Sequence, residues 1–129
     1  MQKVIKPLLE RNLFILAVSI TLLIAYLSLA NIKLEQEVIS FSNLDKIEHF
    51  TAYFVLAFSW FTANKKHKFL SKLKIFICLV IYGAFLEILQ ATLTSYRVGD
   101  ILDLFANSLG ILLAYIFFEK IHAKIIDIF

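Results

Sequence analysis

The sequence predicts an all-α membrane protein: four transmembrane helices in an antiparallel bundle, with both termini cytoplasmic. Three observations predict it. Hydrophobic residues make up 60% of the 129-residue chain, and its mean hydropathy is +0.82, whereas soluble domains are about 45–50% apolar. Apolar runs of membrane-crossing length alternate with short charged connections. Lysine and arginine concentrate on alternate connections. With one proline and three glycines, no linker or repeat divides the chain, so residues 1–129 form a single domain. The lone Cys78 excludes an internal disulfide and a cysteine-cluster metal site, and is assigned to packing. The net charge of +3 sits on residues flanking apolar runs rather than on a soluble basic face. No nucleic-acid partner is therefore expected.

The first helix is expected over about 12–30, because Asn12 to Ala30 runs for 19 residues without a charge. At about 1.5 Å per residue that length crosses a hydrocarbon core. A cleaved signal peptide is the competing reading of residues 1–30, though the apolar run exceeds the usual length of about 7–15 residues. After the polar connection 31–46 the second helix is expected over about 47–64, with Trp60, Phe58 and Phe61 as lipid-facing or interfacial anchors. The connection KKHKFLSKLK leads to a third helix over about 75–95, and SYRVG to a fourth over about 100–119. Ten Lys and Arg lie on the amino terminus, the 65–74 connection and the tail, against three (Lys33, Lys46, Arg97) on the other two connections. This asymmetry places both termini on the cytoplasmic side of the membrane.

Polar residues interrupt these runs in register. Asp45, His49 and Tyr53 are spaced four apart; Glu87, Gln90, Thr94 and Arg97 are spaced three, four and three; Asp100, Asp103, Asn107 and Gly110 repeat that spacing. Each set forms one stripe on a helix. The topology brings all three stripes to the outer leaflet, deepest at Glu87, which lies level with Asn107. Ionised groups there need a partner or water, so the set is a candidate binding site rather than packing alone. Asp100 is the expected N-cap of the fourth helix. Ala106, Gly110 and Ala114, with Gly83, are expected at close helix contacts. His67 and His122 are expected to be solvated at the membrane surface.

The segments Asp45-Lys-Ile-Glu-His-Phe-Thr-Ala-Tyr53, Tyr82-Gly-Ala-Phe-Leu-Glu-Ile-Leu-Gln90, then Arg97 and Asp100-x-x-Asp103-x-x-x-Asn107-x-x-Gly110, resemble the VanZ-like family of small bacterial membrane proteins. The resemblance runs from Asp45 to Gly110. It implies a four-helix membrane protein, linked through the family's founding member to resistance to the glycopeptide teicoplanin. By motif position Asp45, Lys46, His49, Tyr53, Glu87, Gln90, Arg97, Asp103 and Asn107 take the family's characteristic places. The prolines the family often carries before its Asp-Lys and before its Arg are absent here.

Three functions from different classes follow. The first is a binding or accessory protein whose outward pocket takes a polar or anionic envelope-lipid headgroup, with Arg97 offering a planar fork to phosphate and Lys46 and His49 further donors. Its expected partners are membrane lipids, a lipid-linked cell-wall precursor or a glycopeptide. The second is an enzyme on a lipid-linked envelope substrate, with Glu87 and His49 as catalytic acid and base. The third is a small ion- or proton-coupled transporter with Glu87 as relay. No cofactor is expected, and no metal: His49, Glu87 and Asp103 form no recognised ligand motif.

Overall fold

Runs this apolar must satisfy their backbone polar groups within the segment itself, and the described residues do so with helices. The computed structural model describes residues 2–30, 42–93 and 101–128. These hold four helices: α1 (Gln2–Leu29), α2 (Ser42–His67), α3 (Lys72–Leu93) and α4 (Ile101–Ile128). Three are long and apolar enough to cross a membrane, over Arg11–Leu29, Lys72–Leu93 and Ile101–Asp127. α2 is not in that set, because Asp45, Lys46, Glu48, His49 and Asn64 dilute its apolar content. Helical backbone also runs past the apolar stretches at several ends: α1 begins near residue 2 rather than 12, α2 at 42 rather than 47, and α4 continues to 128 rather than 119. Hydropathy marks the slab, whereas Lys, Glu and Gln continue a helix readily beyond it. The expected ends at 95 and 100, the N-cap Asp100 and the stripe residues Thr94 and Arg97 lie outside the described residues.

α2 is the hub. It packs against α1, α3 and α4, while α1 touches α2 and α3. The α2–α4 seam is the most extensive, and its paired residues rise together: Lys46 with Asp103 at one end and Lys65 with Glu119 at the other. Between them lie Leu56, Ala57, Ile111 and Ala114, all fully buried. Phe118 closes the seam edge-on against Phe58 and Phe61, at ring separations of 5.2 and 5.7 Å. Phe61 is thus a core residue, correcting its expected place among the lipid-facing anchors, and Trp60 is likewise turned inward. Its indole N–H donates to the Thr21 hydroxyl on α1 at 2.9 Å. Aromatic residues near a helix end serve equally as membrane anchors and as core, and only the partner helix decides.

The α2–α3 connection is closed by local chemistry. Lys68 adopts φ 50°, and its N–H donates to the Asn64 carbonyl at 2.7 Å, which ends α2. The Asn64 side chain clasps Leu70 through both its amide and its carbonyl. Ser71 then caps α3, accepting from the Lys74 N–H at 3.2 Å. α1 is the peripheral helix and is fastened by polar bonds: the Tyr82 hydroxyl donates to the Thr21 carbonyl, and the Gln90 amide to the Ser28 carbonyl. Interhelical hydrogen bonds of this kind substitute for the hydrophobic force that lipid removes. Cys78 faces outward from α3 rather than packing inside. His122 is partly buried and lies against the Phe118 ring at 5.1 Å.

Gly110 is where the seam is tightest, since a Cβ there would lie 2.4 Å from the Phe50 carbonyl oxygen on α2. Gly110→Ala is expected to destabilise the protein by about 1–3 kcal/mol, because a backbone atom cannot move aside as a side chain can. Gly83→Ala should cost less, its methyl meeting the Tyr53 ring edge at 3.1 Å. Thermal unfolding in detergent, followed by circular dichroism, ranks the two. Equal midpoints would contradict this close approach of α2 and α4.

Candidate functional site

Three helices bring their polar stripes to the end of the bundle where α2 begins and α3 ends, and His49 stands at the centre. The α2 period places Asp45 one turn before His49, so the Asp45 Oδ1 lies 3.4 Å from His49 Nε2. α4 contributes Asp103, whose Oδ2 lies 3.7 Å from the same nitrogen. The opposite ring nitrogen, Nδ1, is 3.0 Å from Asn107 Oδ1, and Glu87 on α3 approaches it to 3.8 Å through Oε1. Lys46 sits beside these groups, its ammonium bonded to Asp103 Oδ1 and 3.6 Å from Asp45 Oδ2. Each aspartate therefore turns one oxygen to Lys46 and the other to His49.

The burial of this junction rises inward. The side chain of Asp45 is 32% exposed, that of His49 14% and that of Asp103 10%, while Asn107 is 1% exposed. Asn107 Nδ2 has no hydrogen-bond partner among the described residues. Burying charges at this depth is costly unless each has a partner, and the cluster supplies several partners reciprocally. An open groove lies beside it between α1 and α2, lined by Ile24, Leu27, Ser28, Asp45, Glu48, His49, Ala52 and Tyr53. One wall is apolar and the other carries His49 and two acids. That lining suits an amphiphile, with chain and headgroup on different sides.

Of the nine sequence-predicted site residues, the structure gathers Asp45, Lys46, His49, Glu87, Asp103 and Asn107 into the junction. Tyr53 lines the groove. Gln90 holds α1 through the Ser28 carbonyl at 2.8 Å. Arg97 lies outside the described residues. The α1 wall of the groove was missed by sequence reasoning: Ile24, Leu27 and Ser28 carry no stripe of polar residues to mark them. So was the grouping of Asp45, His49 and Asp103, whose ligand-type atoms all lie within 4.8 Å of one another. Its one sequence signal is the i, i+4 spacing of Asp45 and His49. Of the combination His49, Glu87 and Asp103 set aside from sequence, Glu87 stands on the Nδ1 side of the ring, whereas Asp45 and Asp103 stand on the Nε2 side.

A family model described as VanZ/LLP1 matches residues 4–123. The chain belongs to the VanZ/LLP1 family. The match covers nearly all of it, including α1 and most of α4, which the sequence motifs alone leave out. Neither a curated protein nor a solved structure matches the chain. Family membership and the three apolar helices make it a membrane protein.

The two ion pairs that bound the α2–α4 seam of this VanZ/LLP1 protein differ in burial. Glu119→Gln removes an exposed pair, Lys65–Glu119 at 2.8 Å, and is expected to cost about 0–1 kcal/mol. Asp103→Asn acts on an acid whose side chain is only 10% exposed, and should fall between that value and the about 3–5 kcal/mol of breaking a fully buried pair. Chemical unfolding of both variants in the same detergent gives the comparison. A smaller loss for Asp103→Asn would mean that the junction is hydrated rather than enclosed.

Proposed function

We propose that this VanZ/LLP1 protein captures an envelope amphiphile by its polar headgroup, at an outward-facing groove whose floor is the His49 junction. The observation that carries the reading is the juxtaposition of Asp45, His49 and Tyr53 with Ile24, Leu27 and Ala52 on the walls of one groove. The apolar wall takes the first methylenes of a chain, and the polar wall takes the headgroup. Lys46, held between Asp45 and Asp103, and Arg97, by its motif position, are the cations this reading assigns to an anionic group on that lipid. Such capture of a lipid-linked precursor fits the family's association with teicoplanin resistance. It also fits four membrane spans of alternating direction. α2 then crosses packed against the three apolar helices, with Asp45, Lys46 and His49 paired at the junction, and the ten to three distribution of Lys and Arg puts both termini in the cytoplasm.

A second reading rests on Glu87 Oε1 lying 3.8 Å from His49 Nδ1. That approach is longer than a hydrogen bond, so in this reading the pair closes, or relays through one water, when a lipid-linked substrate binds, and Glu87 and His49 then act on it as acid and base.

Purification in mild detergent with native lipid retained, followed by lipid mass spectrometry, tests the capture. One headgroup class should be enriched with the wild type and depleted in His49→Gln and Asp45→Asn. The same variants should lose any teicoplanin tolerance the protein confers. A lipid profile identical in wild type and both variants would contradict the reading. Glu87→Gln separates the two readings: it should keep the enriched lipid, and it changes that lipid's chemical form only if Glu87 is catalytic.

A further inference from the structure

We propose that Asp45, His49 and Asp103 form a binding site for one divalent transition-metal ion, Zn²⁺ or Mn²⁺, with an open coordination position toward the groove. The donor set is one imidazole nitrogen and two carboxylate oxygens, which suits these ions. The geometry is close to what a metal requires. Metal–ligand bonds of about 2.0–2.2 Å in tetrahedral coordination set neighbouring ligand atoms about 3.4 Å apart. His49 Nε2 lies 3.4 Å from Asp45 Oδ1 and 3.7 Å from Asp103 Oδ2, and all three ligand atoms lie within 4.8 Å of one another, so a modest closure of the two carboxylates completes the set.

Two further observations fit a cation. First, Asn107 Oδ1 lies 3.0 Å from His49 Nδ1 and accepts its proton, so Nε2 is the nitrogen that faces the two carboxylates and, once deprotonated, ligates. Metal-ligating histidines are oriented in this way by an acceptor on the other ring nitrogen. Second, Asp45 and Asp103 each turn one oxygen to Lys46 and the other to His49 Nε2, so two carboxylates converge on the one imidazole nitrogen. Lys46 does not block the site, because it takes Asp45 Oδ2 and Asp103 Oδ1 while the other two oxygens face His49. Asp45 and His49 also line the groove, which provides the entry path.

The inference does not depend on lipid capture and is tested without lipid. Full-length protein, delipidated in detergent and washed with chelator, is titrated with Zn²⁺ alone, and bound metal is measured by elemental analysis after desalting and by calorimetry. The wild type should retain one equivalent. Asp45→Asn and His49→Gln should bind at least tenfold more weakly, and Asn107→Ala about 10–100-fold more weakly. Lys46→Met, which removes the ion pair without removing a ligand, should still bind one equivalent. Asp45 is at the rim, so Asp45→Asn decides the matter even if His49→Gln fails to fold. Wild-type protein retaining no more zinc than a detergent blank overturns the proposal, as does Asp45→Asn binding as tightly as wild type.

Discussion

Every feature of this bundle answers one constraint: a charge set among apolar helices must find its partner within the protein. His49 meets the constraint at both ring nitrogens, with Asp45 and Asp103 on one side and Asn107 and Glu87 on the other. Because those partners come from α2, α3 and α4, satisfying one imidazole also fixes the relative height of three helices. The Lys46–Asp103 pair adds a second tie across the same seam. Such polar ties specify register where apolar packing alone would allow helices to slide, since lipid tails are as apolar as leucine.

The close packing of α2 against α4 depends on that register. Gly110 admits the Phe50 carbonyl only if Asp103, two turns earlier, meets Lys46. The result is a hub helix whose own composition is the least membrane-like of the four, shielded by three more apolar neighbours. This is the arrangement expected when the polar residues of an inner helix serve the interior rather than the lipid. It also leaves α1 at the edge, tied by hydrogen bonds to Thr21 and Ser28 and free to form one wall of a groove.

Much of this was legible in the sequence. Spacings of three and four placed Asp45 with His49 and Asp103 with Asn107 on single faces, and the short turn between the last two spans made Glu87 level with Asn107; the structure puts both of those residues at His49. What could not be read was any relation set by which way a side chain leans. Gln90 belongs to the same stripe as Glu87 by spacing, yet it reaches α1, because the angular drift of a 3.6-residue period turns it toward a different neighbour. Phe61 and Trp60 look the same from sequence whether they meet lipid or protein. Ligand groupings were hidden for a related reason: Asp103 is far from Asp45 in the chain, and only the parallel rise of α2 and α4 brings their carboxylates to one nitrogen.

The central claim is that His49 is held inside the bundle by α3 and α4 rather than facing lipid or bulk water. Solution NMR in lipid nanodiscs, on otherwise deuterated protein with protonated His, Asn and Glu side chains, reads this directly. Nuclear Overhauser contacts should run from the His49 ring to the Asn107 side-chain amide and to the Glu87 methylenes, as the 3.0 Å and 3.8 Å approaches require. A His49 ring whose only contacts are to water or to lipid acyl chains would contradict the account.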